Sequence, residues 1–185
     1  MVLERNMSYE QTIESEEIDI IIRQAEASDV KAILGLAKHI GRETDYLTFG
    51  SEGLPYTRDE ELSIILKYQQ SDKDILLLIE SDDQLIGMGN VTTIDPHRQN
   101  HVAEIGISII EEYWGYGIGS MLLDALIEFA KQVGLRVLTL EVVTENQRAV
   151  RLYEKFGFKT VGRLTGRLKS NFTYYDTAIM ELILA

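Results

Sequence analysis

HVAEIGISIIEEYWGYGIGSMLLDALIEFAKQVG, residues 101–134, carries a strand, a glycine-rich turn and a helix in one uninterrupted run. Over the first part the residues alternate with the two-residue period of a strand. Ala103, Ile105, Ile107 and Ile109 share one face, and Val102, Glu104, Gly106 and Ser108 share the other. After the turn the period becomes helical, with Met121, Leu122, Ala125, Leu126 and Phe129 on one stripe. Gly115, Gly117 and Gly119 lie between the two. Lacking Cβ atoms, they let a ligand approach the backbone, and unpaired N–H groups at the helix start favour a phosphate or pyrophosphate there. The same glycines would serve a tight turn or close helix–sheet packing, so the pattern alone leaves both readings open. It has neither the Gly-Lys-Ser/Thr ending of a P-loop nor the Gly-x-Gly-x-x-Gly dinucleotide spacing.

Upstream, IDIIIRQA (18–25) reads as a short strand, and ASDVKAILGLAKHIGRE (27–43) as a helix. That helix has Ser28 or Asp29 as its cap and Val30, Ile33, Leu34, Ala37 and Ile40 on its apolar stripe. DYLTFGSEGLPYT (45–57) is an ordered loop, either a substrate wall or a connector filled by Tyr46, Leu47 and Phe49. A second helix follows over 57–71, opened by a Thr57/Glu60 capping box. DILLLIES (74–81) and QLIGMGNVTTID (84–95) form a hairpin across Ser81–Asp83. Downstream come the strand RVLTLEVV (136–143), the helix NQRAVRLYEKFG (146–157) and two strands around a turn at Lys169–Asn171. In the 146–157 helix Asn146 is the N-cap, Ala149, Leu152 and Phe156 pack inward, and Gly157 stops the helix.

The full chain of 185 residues suits one domain: no repeat and no Gly/Ser or Pro tract divides it. Residues 1–17, with Glu4, Glu10, Glu14, Glu16 and Glu17, read as an acidic arm or irregular first helix, and the domain proper as 18–185. Eighteen Lys and Arg against thirty Asp and Glu leave a net charge of −12, which disfavours nucleic acid and anionic membranes. It suits a cationic partner such as a polyamine or lysine-rich protein, or merely solubility. Zero cysteines exclude a disulfide framework, a thiol nucleophile and a thiolate metal site. His39, His97 and His101 lack metal-ligand spacing, so no metal is expected. The opening residues have no basic start and no continuous apolar stretch, so a cytoplasmic protein is expected.

Trp114 to Gly119 resembles the coenzyme A loop of the GCN5-related N-acetyltransferase family, Arg/Gln-x-x-Gly-x-Gly/Ala. Gly117 and Gly119 match, while Trp114 stands where the family has Arg or Gln. That departure leaves an amide cradle intact and changes the side chain at its first position. NQRAVRLYEKFGF is similar to the family's Asn-x-x-Ala-x-x-Leu-Tyr-x-x-x-Gly-Phe segment, with Asn146, Ala149, Leu152, Tyr153, Gly157 and Phe158 all in place. The likeness runs from about Ile20 to the C-terminus and is nearest the bacterial branch that includes ribosomal-protein and diamine acetyltransferases.

The resemblance implies an α/β fold, a mixed, mostly antiparallel sheet flanked by helices. It implies acetyl-CoA as cosubstrate and direct attack by a primary amine, with Glu104 as general base and Tyr153 as general acid. Cofactor contacts would come from Ile107, Ser108, Ile109, Trp114, Gly115, Tyr116, Gly117, Ile118, Gly119, Ser120, Asn146, Ala149 and Tyr153. In the family a bulge separates the Glu104 strand from the next, and Asp176 lies toward the active site. Arg163, Arg167 and Lys169 either solvate an edge strand or bind a phosphate or acidic acceptor. A small amine and a protein N-terminus both remain as acceptors, and a homodimer is an open option. A noncatalytic acyl-CoA-binding protein would explain the glycine cradle but leave Glu104 and Tyr153 without a task.

Overall fold

The structure, a computed structural model, describes residues 19–94 and 98–184; the acidic arm expected over 1–17 and His97 lie outside the described residues. In chain order the elements are β1 (Ile21–Gln24), α1 (Val30–Glu43), α2 (Arg58–Gln70), β2 (Ile75–Ser81), β3 (Gln84–Thr93) and β4 (Val102–Ile109). They continue with α3 (Ile118–Gln132), β5 (Val137–Val143), α4 (Gln147–Lys155), β6 (Lys159–Ser170) and β7 (Thr173–Ile183). The strands form a single seven-stranded sheet in the order β1-β2-β3-β4-β5-β7-β6. Every neighbouring pair is antiparallel except β4 and β5. The one parallel contact is reached through α3, as a crossover connection requires.

Both hairpins close on two-residue turns with left-handed central residues, which match the twist of the strands they join. Asp82 and Asp83 have φ 49° and 61° between the Ser81–Gln84 pair. At the β6–β7 tip Asn171 and Phe172 have φ 46° and 66° between Ser170 and Thr173. The tip is therefore one residue later than the Lys169–Asn171 turn expected from the sequence.

Period-two burial decides the layers. α1 and α2 cover the face of Leu76, Leu78 and Met88, where Ile33 and Ile65 fill a second core cluster. α3 lies on the other face: a Cβ at Gly89 would stand 2.9 Å from the side chains of Leu122 and Leu126. Its Leu122, Leu123, Leu126 and Ala130 are fully buried against the sheet. Full burial of a leucine side chain contributes about 2 kcal/mol, so this stripe is a main anchor of the sheet.

Helix starts follow their caps closely. Thr57 Oγ1 accepts from the Glu60 N–H (3.3 Å), and the Glu60 carboxylate accepts from the Thr57 N–H (2.7 Å), the expected capping box of α2. Asp29 does occupy the N-cap position of α1, but its side chain makes no cap bond to that helix. It accepts from the Glu26 N–H and pairs with Arg23, which also pairs with Glu80. The guanidinium holds the Asp29 carboxyl below the usual carboxylate range. The buried stripe of α1 is Ile33, Leu36, Ala37 and Ile40; Leu36 takes the depth expected of Leu34, which is half-buried.

Candidate active site

β4 and β5 are paired over only three residues, Val102–Val137, Ala103–Leu138 and Glu104–Thr139. Beyond Glu104 they diverge. β4 continues to Ile109 against β3, and β5 continues to Val143 against β7. The β3–β4 register runs without a shift from Ala103 to Ile109, so the expected bulge is absent from this ladder and the opening is a smooth divergence. The ladder bonds of β4 toward β3 include Ile94 N–H to Val102 O and Ile110 N–H to Ile86 O, both on even-numbered β4 residues. The polar groups of Ile105, Ile107 and Ile109 therefore face the gap.

At the wide end of the gap the glycine turn sets an amide cradle. Gly117 is the N-cap of α3 in left-handed conformation (φ 82°), and Gly115 has φ 90°. Both are places where a side chain would be strained and where the space beside the backbone is open. The Ser120 and Met121 N–H groups bond to Gly117 O. Among the described residues, the N–H groups of Gly115, Tyr116, Gly117, Ile118 and Gly119 donate to no other group. Ile118 is buried and contributes only its amide to the cradle, while the Tyr116 ring stays on the surface. Outward amides at an open helix start suit the pyrophosphate of coenzyme A.

Trp114, the departure from the family pattern, has a structural task. Its indole Nε1 donates to Ile109 O (2.7 Å), satisfying the last gap-facing carbonyl of β4. The Arg148 guanidinium lies over its ring, 4.1 Å from the centroid. That stacking brings a cation from α4 to the side of the cradle, a contact with no signal in the local sequence. Gly119 lets α3 and α4 approach, with an added Cβ 3.2 Å from Leu152.

Asn146 caps α4: its Oδ1 accepts from the Ala149 N–H at 3.2 Å, while its own N–H bonds to Val143 O. The cap ties the helix to the end of β5. Ala149, Leu152 and Phe156 pack against the core, and Gly157 ends the helix with φ 92°. Tyr153 is buried, with its ring edge-on to Phe158 at 5.6 Å. Burial pushes its phenol up to about 12, so it holds its proton at neutral pH and can only give it up to a strong base or a developing anion.

Glu104 is the last β4 residue paired with β5, at the apex of the gap, and its side chain is exposed on the α1/α2 face. On β3 the directly opposed residue is Thr92, with Asn90 two residues along. Tyr68 from α2 completes a polar group that sequence reasoning missed: its hydroxyl is 2.6 Å from Thr92 Oγ1, which also accepts from Asn90 Nδ2 at 2.9 Å. The approach of Tyr68 to β3 depends on the packing of α2 and has no signal in the local sequence. Ser108 lies on the same face as Glu104, farther along the open strand.

The two expected walls touch each other. Ser170 Oγ donates to Asp45 Oδ1 (2.6 Å), and Tyr46 packs edge-on against Tyr175 at 5.8 Å. The basic residues of the hairpin are engaged locally: Arg163 with Asp176, Arg167 with Glu141, and Lys169 over the Tyr174 ring. Asp176 also accepts from the Gly166 N–H, which with Arg163 lowers its pKa. His39 pairs with Glu43, and the His101 carbonyl accepts from Arg136 and Val137 at the start of β5.

A sheet opened between two parallel strands, with an amide cradle at its mouth, defines an acyl-CoA transferase architecture. The acetyltransferase (GNAT) family model matches residues 43–158, and the chain belongs to that family. An acetyltransferase of this family from Streptococcus pneumoniae, solved by crystallography, superposes with a TM-score of 0.85 at 31% identity over 89% of this chain and 99% of that one. The L-amino acid N-acetyltransferase of Escherichia coli is 27% identical over 167 residues, 89% of this chain and 98% of the relative. A putative acetyltransferase from Salmonella typhimurium, solved with its cofactor acetyl-CoA, shares the fold with a TM-score of 0.78 at 20% identity, over 90% of this chain and 94% of that one. The protein is an N-acetyltransferase of that family.

Proposed function

We propose that this enzyme transfers the acetyl group to the primary amine of a small cationic acceptor, with Glu104 as general base and Tyr153 as general acid. The observation that carries the reading is the β4–β5 gap: Glu104 marks its apex, and the free amides of the cradle mark its mouth. When bound, acetyl-CoA supplies an activated thioester carbonyl. Its pyrophosphate would be held by the amides of Gly115, Tyr116, Gly117, Ile118 and Gly119, with the Ser120 hydroxyl beside them, and its pantetheine arm would lie along Ile107, Ser108 and Ile109 in place of the missing β5 partner. Asn146 and Ala149 would flank that arm from α4, and Trp114 with Arg148 would form the side of the phosphate site.

Glu104 takes the proton of the acceptor ammonium, directly or through water, so that the neutral amine attacks. Gap-facing N–H groups of β4 hold the carbonyl oxygen as charge develops on it. Tyr153 gives its proton to the departing sulfur, and the proton that the attacking nitrogen loses as the amide forms passes to solvent or back to the phenolate. The net charge of −12 favours a cationic acceptor over an acidic one. Contact between the 44–57 loop and the β6–β7 hairpin supports a small molecule over a protein N-terminus, because it narrows the approach.

An amine panel containing polyamines, amino acids and an N-terminal peptide, with mass detection of the product, tests the acceptor; acetylation of the peptide alone would overturn the small-amine reading. For Glu104→Gln, turnover should fall about a hundredfold while calorimetric binding of acetyl-CoA stays within about twofold. Unchanged turnover across the pH profile removes Glu104 from the mechanism.

A further inference from the structure

We infer that Arg148 binds a phosphate of the cofactor and that Trp114 is the residue that positions it; this rests on the reading of the glycine turn as the cofactor's cradle. α4 reaches that turn from the side. Leu152 meets the start of α3, where a Cβ at Gly119 would stand 3.2 Å from its side chain. Arg148 lies one turn earlier on the same face of α4. Its guanidinium covers the Trp114 ring, 4.1 Å from the centroid. Trp114 is itself fixed: its indole N–H donates to Ile109 O at 2.7 Å, and Gly115, the first of the open amides, follows it in the chain. The ring therefore holds one face of the cation beside those amides and leaves the N–H fork of Arg148 free to donate.

The charges around this stack are one-sided. The chain has thirty Asp and Glu against eighteen Lys and Arg, and Arg23, Arg163 and Arg167 each pair with a carboxylate. Among the described residues, the Arg148 guanidinium pairs with none. Glu145, the acidic residue closest before it in the chain, is turned to Thr144. Arg148 is the second residue of α4, the end of a helix where the backbone dipole disfavours a cation. Arg151 stands one turn on and adds a like charge. The N-terminus of α3 at Gly117 contributes a further positive end. An anion relieves all of these at once. A phosphate fits best, because a planar guanidinium matches two of its oxygens and the neighbouring amides take the rest. Coenzyme A offers that chemistry twice, in its pyrophosphate and in its 3′-phosphate.

Calorimetry with coenzyme A, and with dephospho-coenzyme A, which lacks the 3′-phosphate, reads the contact without turnover. Arg148→Ala should weaken coenzyme A about tenfold. Arg148→Lys keeps the charge but not the planar fork and should recover only part of the loss. Equal weakening of both ligands assigns Arg148 to the pyrophosphate, and weakening of coenzyme A alone assigns it to the 3′-phosphate. Trp114→Leu should weaken binding by a similar factor, and the double variant by no more than the larger single effect, since the ring acts through the guanidinium. Trp114 is the only tryptophan of the chain, so its emission reports the stack and should differ between the wild type and Arg148→Ala before any ligand is added. Thermal melts of the ligand-free variants separate these effects from unfolding. An affinity for coenzyme A within about twofold of wild type in Arg148→Ala overturns the inference and leaves the cradle. Multiplying effects in the double variant, full recovery in Arg148→Lys, or an emission unmoved by Arg148→Ala overturns the positioning role of Trp114. A wild-type chain that binds no coenzyme A overturns the cradle reading and the inference together.

Discussion

Burial gives Tyr153 and Glu61 opposite kinds of interest. The Tyr153 phenol ionises at about 10 in the unfolded chain and about 12 in the fold. A raised pKa means that its contribution to stability is complete below pH 10 and is lost as pH rises toward 12. Denaturant unfolding of the wild type and Tyr153→Phe should therefore give a constant difference up to pH 10, then shift in favour of the variant by on the order of 2 kcal/mol. A difference that stays flat through pH 12 would contradict the enclosed phenol. At neutral pH the same variant should fold but turn over at least tenfold more slowly. Glu61 sits on the inner side of α2, 2% exposed, with an unpartnered buried Oε2. Burial raises its pKa above 4.5. Its contribution is complete below pH 4.5 and fades as pH rises, so Glu61→Met should raise stability by about 1–3 kcal/mol at pH 7 and by less at pH 4.5. Equal gains at both values would show that no carboxylate charge is being relieved. Tyr153 was legible as one residue of a spaced motif; Glu61 was not, because its neighbours on α2 are Asp59 and Glu60 and only packing distinguishes the residue turned inward.

Caps and turns set the elements, and most of them are local enough to be visible in the chain. The α2 box, the Asn146 cap and the Gly157 stop all follow from side chains within four residues of the groups they satisfy. Removing the Thr57 hydroxyl with Thr57→Ala should cost about 1 kcal/mol in a melt or denaturant titration, without changing the KM for acetyl-CoA. Gly117→Ala differs in kind: its Cβ meets no atom, but φ 82° strains any side chain, and the methyl would stand at the cradle. An increase of about tenfold in the acetyl-CoA KM, against little change in the amine KM, is expected, and an unaltered KM for acetyl-CoA would detach the turn from the cofactor. The N-cap of α1 is the exception. Asp29 was available to cap α1 but is drawn to Arg23, a residue of β1, by a charge-assisted bond stronger than an ordinary cap.

Across the whole molecule, the proposed acceptor wall depends on one close backbone approach. A Cβ at Gly41 would lie 1.9 Å from Gly50 O, an overlap only a shift of the 44–57 loop can relieve. The loop carries Asp45 and Tyr46 to the β6–β7 hairpin. Gly41→Ala should therefore raise the amine KM several-fold while leaving the acetyl-CoA KM in place, and a change confined to acetyl-CoA would place this wall elsewhere. By itself the amino-acid sequence determined the run of strands and helices, the glycine turn, the Asn146–Phe158 segment and the absence of any thiol, because each rests on contacts or chemistry within a few residues. Tertiary structure alone decided that β4 and β5 part after Glu104, that Arg148 lies on Trp114, and that Tyr68 reaches Thr92. Those meetings join residues far apart in the chain, and their geometry is set by how the helices pack on a divided sheet, which no local periodicity encodes.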